Sequence, residues 1–155
     1  MAAVIAFLDA SALIYLLEGE PPWASAVKHE LQALADGHPQ LAIALSRLSV
    51  LECRVGPLRR GDQSSLERLD GFFARRDLLW QELSPAVVEQ AITLRAHHGL
   101  RTPDALQAAC CLQRPWGGRG WRAGRCRESS PCGQRKRFWL QGGPPWLPDH
   151  AGGRN

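Results

Sequence analysis

No stretch of this 155-residue chain approaches the roughly 18 to 20 consecutive apolar residues of a membrane span, so no spanning helix is expected. Its five cysteines, Cys53, Cys110, Cys111, Cys126 and Cys132, are odd in number and lack any CxxC spacing, which disfavours both a disulfide scaffold and a zinc site. The thiols are expected to be reduced and the protein cytoplasmic. Residues 2 to 17 are mostly apolar but lack the basic leader of a secretory signal, and Asp9 interrupts them. Beyond Cys111 the only acids are Glu128 and Asp149, and Val and Ile are absent altogether.

These absences divide the chain in two. Residues 1 to 111 hold ten Lys/Arg against thirteen Asp/Glu, whereas residues 112 to 155 hold nine against two. The overall charge of +4 and the pI near 9.1 therefore come from the tail, and cannot be credited to a nucleic-acid surface on the first part. Of the 44 residues in that tail, 26 are Gly, Pro, Arg or Trp, a mixture poor in strand formers and core side chains. It is the composition that GC-rich codons produce when read out of frame. A frameshifted or divergent tail without regular strands, disordered against residues 1 to 111, is the expectation.

Within residues 1 to 111 short apolar runs alternate with helical patterns, which predicts an α/β domain with a parallel sheet flanked by helices. Residues 3 to 8 suit a strand buried on both faces, followed by a helix over 12 to 18 with Ser11 as its cap. A second helix is predicted over Trp23 to Ala35, and a second strand over Leu41 to Leu45. Ser46 then caps a helix through Val55, with Gly56-Pro57 as its stop. A helix follows over about Gln63 to Arg75, then a strand over Leu78 to Leu83. Ser84-Pro85 opens a helix reaching His98 and Gly99 ends it; Thr102-Pro103 opens another, to about Cys111.

Three carboxylates stand out from this frame. Asp9 closes the first apolar run, where open α/β sheets place their ligand crevice, although Asp-x-Ser also reads as helix-entry chemistry. Glu52 shares a stripe with Leu45, Leu48 and Val55 that should face the core, where an unpaired carboxylate is costly; a metal is one partner and an arginine such as Arg47 or Arg59 the other. Asp104 sits in a first helical turn, which the helix dipole favours whatever the function. Ser11 reads as a cap or a phosphate contact, and Arg101 as a surface charge or an RNA-backbone contact. His97-His98 reads as a solvated helix end before a phosphate contact, and Arg135-Lys136-Arg137 with Phe138-Trp139 mimics a basic and aromatic nucleic-acid patch but reads first as tail composition.

Taken jointly, Phe7-Leu8-Asp9-Ala10-Ser11-Ala12-Leu13-Ile14, Ser46-Arg47-Leu48-Ser49-Val50-Leu51-Glu52-Cys53-Arg54 and His98-Gly99-Leu100-Arg101-Thr102-Pro103-Asp104-Ala105-Leu106-Gln107-Ala108-Ala109 resemble the acidic motifs of PIN-domain ribonucleases. The resemblance is nearest to the VapC-type toxin branch, small nucleases held inactive by a cognate antitoxin, and covers about residues 3 to 111. It implies Asp9, Glu52 and Asp104 as catalytic ligands of Mg²⁺ or Mn²⁺, hard cations that prefer carboxylate oxygens. It also implies RNA hydrolysis by an activated water, with Ser11 and Arg101 near the substrate. A homodimer is implied, with an antitoxin segment near Leu13, Leu16, Leu17 and Trp23.

The chain departs from the family after Cys111, where a buried strand and a further acid in a Thr-x-Asp setting would follow. Glu128 does not match that setting. The domain is therefore expected to be incomplete, missing its last strands and exposing an edge of the first. Two functions follow: a Mg²⁺-dependent endoribonuclease toxin, or an inactive relic that only binds an antitoxin-like partner.

Overall fold

A computed structural model describes residues 4–19 and 21–113, together with two backbone strands, 121–125 and 137–141. β1 (Ile5–Leu8), β2 (Ala42–Ser46) and β3 (Leu78–Gln81) form a parallel sheet in the order β3-β2-β1. Between β1 and β2 lie α1 (Ala10–Glu18) and α2 (Trp23–Gly37); between β2 and β3 lie α3 (Arg47–Arg60) and α4 (Gln63–Phe73). After β3 come α5 (Pro85–His98) and α6 (Thr102–Leu112).

The strands read as continuous apolar runs because both faces of the sheet are covered. Leu8, Leu45 and Leu78 point to one side, where they pack with Leu13, Val27, Cys53 and Leu69 from the first four helices. Ile5, Phe7 and Ala44 point to the other, against Val87, Ala91, Ala105 and Ala109 of α5 and α6. The period of two along each strand thus sorts neighbouring side chains into separate cores.

Several boundaries differ from the sequence reading. Asp9, not Ser11, caps α1: its Oδ1 accepts the Ala12 N–H at 2.8 Å, while Ser11 is exposed in the first turn. α3 runs past Gly56-Pro57 to Arg60. Pro57 gives up the one bond its N–H would make to the Cys53 carbonyl, yet the helix runs on for three more residues until Gly61 at φ 65° supplies the left-handed residue that ends it. The buried row of α3 is Ser49, Cys53 and Pro57, because Leu45 belongs to β2; Glu52 flanks that row, half-buried. α4 and β3 stop short, at Phe73 and Gln81. α5 matches from its Ser84 cap to Gly99.

The expectation of a tail without strands is corrected. β4 (Trp121–Arg125) pairs with β5 (Arg137–Gln141), and β5 lies antiparallel on β1, with Ala6 opposite Leu140. Phe138 and Trp139 favour strands, and the open edge of β1 offers a row of unpaired backbone groups to receive them. Among the described residues the parallel part of the sheet has three strands, in keeping with a domain missing its last parallel strand. The remaining tail residues, Glu128 and Asp149 included, lie outside the described residues.

Candidate active site

β1 and β2 run parallel with Leu8 opposite Leu45, so their carboxyl ends place Asp9 and Ser46 side by side. From that edge α1 and α3 depart, held together where the Cys53 thiol lies 3.8 Å from the Ala10 carbonyl. Asp9 is half-buried at the first departure point, and Glu52 lies on α3 within two turns of the second. Arg101 caps the start of α6 through its backbone, and Asp104 follows in the first turn with an exposed side chain. α6 reaches the same edge because Gln107, one turn beyond Asp104, is buried against Ser46 and Ser49.

The charges of the neighbouring acids bear on Asp9 and on Glu52. Burial pushes the Asp9 carboxyl up to about 6; the Ala12 amide opposes the shift, and the charges of Glu52 and Asp104 add to it. Glu52 is also raised, first by burial and then by Asp104, against a hydrogen bond from Gln107. The ion pairs among the described residues are Arg47–Glu82, Arg54–Asp70, Arg60–Asp62 and Arg75–Asp77. None includes Asp9, Glu52 or Asp104. Arg47, a candidate partner of Glu52 from the sequence, instead stacks on Trp80 at 4.2 Å and bonds Glu82 at 2.8 Å.

Gathered carboxylates without a basic partner form a hard-oxygen donor set whose repulsion a divalent cation would offset. The donor chemistry therefore fits Mg²⁺ or Mn²⁺. Among the described residues no three His, Cys, Asp or Glu side chains are drawn together as tightly as ligands around one ion. Cys53 is no rival nucleophile. Burial, with Glu52, Glu18 and Asp9 adding to it, pushes its thiol up to about 12.

A polar cluster behind the acids was not singled out from the sequence. Ser46 Oγ donates to Gln107 Oε1 at 2.7 Å; Gln107 Nε2 donates to Ser49 Oγ at 3.1 Å and to Glu52 Oε2 at 2.8 Å. Its only sequence trace is that Gln107 follows Asp104 by three, on the same face of a helix. Ser11 and Arg101 are both exposed near the acids, without a side-chain hydrogen bond among the described residues. Leu13, expected to line a docking groove, is wholly buried in the core; Leu16 and Leu17 are partly buried against it.

The PIN domain family matches residues 6–115. The chain belongs to the PIN-domain family. Among solved structures, this PIN domain is similar to a chain of VapBC2 from Rickettsia felis, bound in that crystal to a promoter DNA fragment. That match has 19% identity, covers 70% of this chain and 80% of the other, and has a TM-score of 0.55. It is also similar to a chain of a toxin-antitoxin complex from Klebsiella pneumoniae, at 27% identity over 67% and 75% of the two chains and a TM-score of 0.46. No curated protein matches. No helix among the described residues is long and apolar enough to cross a membrane.

Proposed function

We propose that this PIN-domain protein is a divalent-metal-dependent endoribonuclease, the toxin half of a toxin-antitoxin pair. The observation that carries the proposal is that Asp9, Glu52 and Asp104 lie on elements gathered at one edge of the sheet, where the charges of Glu52 and Asp104 bear on Asp9 and that of Asp104 on Glu52, with no ion pair to any of the three among the described residues. Asp9, Glu52 and Asp104 would hold the cation, Mg²⁺ or Mn²⁺. When bound, the ion supplies charge neutralisation at the phosphate oxygens and lowers the pKa of water.

The chain's own residues do the rest. The α1 cap fixes the Asp9 rotamer, Gln107 fixes Glu52, and the exposed Asp104 lies toward solvent, where a strand of RNA would approach. Arg101 and Ser11 flank that approach and suit contacts to the backbone phosphates. The fold shared with a chain of VapBC2 supports an antitoxin-like partner, and a homodimer goes with the same reading. The protein would act in the cytoplasm.

The test is cleavage of single-stranded RNA by the purified chain. Cutting should require Mg²⁺ or Mn²⁺, stop with EDTA, and fall at least a hundredfold in Asp9→Asn, which keeps the cap's shape but removes a ligand charge. A second reading, an inactive relic that only binds its partner, is favoured by the lack of a closed three-ligand cluster among the described residues. Antitoxin binding without metal-dependent cleavage would select it.

A further inference from the structure

Resting on the reading just given, we propose that Gln107 is a positioning residue of the acidic site: its amide holds Glu52 by one carboxylate oxygen and leaves the other for the cation. Gln107 touches neither Asp9 nor any expected substrate contact. Its place is behind the acids, buried between α6, α3 and the end of β2.

The hydrogen bonds run one way. The Ser46 hydroxyl donates its single proton to Gln107 Oε1, so the amide nitrogen must face the opposite side. That nitrogen has two protons and two acceptors, Ser49 Oγ and Glu52 Oε2. Ser49 Oγ lies 3.3 Å from Ser46 Oγ and can donate to it, closing a ring among the two serines and the amide. Turning the amide over would set Oε1 against the Glu52 carboxylate, acceptor facing acceptor; the Ser46 hydroxyl could rotate to accept, but the carboxylate has no proton to offer. Only one orientation satisfies every member, and an unmade bond at this depth is costly.

Of these bonds the one to Glu52 is charge-assisted and the one that reaches the site. Glu52 Oε1 has no hydrogen-bond partner among the described residues, so the carboxylate is tethered at one oxygen and open at the other. The tether also joins two acids mechanically. Gln107 lies one turn from Asp104 on α6, and Ser46 lies beside Asp9 across β1 and β2. One side chain therefore ties the element bearing Asp104 to the helix bearing Glu52 and to the strand end beside Asp9.

Mn²⁺ binding to the purified full-length chain, followed by electron paramagnetic resonance of the free ion, tests the proposal without any turnover. Gln107→Met keeps length and volume but removes the donors, and should weaken Mn²⁺ roughly tenfold while the thermal unfolding transition remains cooperative. In a Glu52→Gln background the same change should cost no further affinity, because its effect passes through Glu52. Unchanged affinity in Gln107→Met overturns the proposal, as does an equal loss in both backgrounds, which marks a merely structural residue. Should Gln107→Met fail to fold, Ser46→Ala, which frees the amide's other end, decides on the same two criteria. Absence of Mn²⁺ binding by the unaltered chain overturns the metal-site reading itself and this inference with it.

Discussion

Asp9 serves two ends that pull against each other. Its Oδ1 caps α1, which stabilises the fold, while burial beside Glu52 and Asp104 makes its charge expensive. An acid whose pKa is about 6 in the folded protein and near 3.8 otherwise binds more protons folded than unfolded between those values. Its electrostatic cost is therefore absent below pH 3.8, grows as pH rises, and is complete above about 6, where it amounts to about 3 kcal/mol at most. Asparagine caps as well but carries no charge. Asp9→Asn should gain stability relative to the unaltered chain as pH rises through that window, as read by urea unfolding between pH 4 and 8; a difference independent of pH would contradict this. If the proposed site holds, Mn²⁺ should in turn stabilise the unaltered chain more than Asp9→Asn, by binding the folded acids.

At the scale of elements, two glycines, Gly56 within α3 and Gly61 just past its end, separate the sequence reading from the structure. Gly56 is helical, and a Cβ there would meet only the far end of the Arg60 side chain at 3.2 Å. Gly61 has φ +65° with open space around it, so a side chain there meets strain rather than a clash. Gly56→Ala should therefore stabilise by about 1 kcal/mol, if Arg60 swings aside, and Gly61→Ala destabilise by about 1 kcal/mol, both measured by chemical denaturation. The reverse order would mean that α3 ends where Gly56-Pro57 suggested. α5 was legible because Ser84-Pro85 and Gly99 are purely local signals, sufficient without tertiary context. α3 was not, because a proline inside a helix removes one hydrogen bond without settling where the chain stops, and the stop falls at the left-handed Gly61 instead. The acids could be singled out by pattern, whereas the bond from Gln107 to Glu52 spans 55 residues and joins helices whose packing no local rule supplies.

For the whole molecule, the parallel sheet and its flanking helices were legible from alternating runs, and the antiparallel strands were not. Residues 121–125 and 137–141 lack the Val and Ile that mark a strand; their place on the sheet depends on the vacant edge of β1. A chain ending at Gln113 would leave that edge bare. It should scatter more light on standing at micromolar concentration than the full chain and lose secondary structure at lower urea. Equal behaviour of the two would mean that β5 contributes nothing to the fold.

The position of β5 has a consequence in time. β1 occupies residues 5–8 and receives its parallel neighbour β2 at residues 42–46, but its other neighbour spans residues 137–141. On a ribosome adding residues at about 5–20 per second, the strand that bears Asp9 at its end waits on the order of ten seconds, half-paired, while most of the protein is made. Until residue 114 is added, which is most of that interval, the newborn chain carries the acids of its first part without the basic residues of its last, and any strand offered by another molecule competes for the same edge.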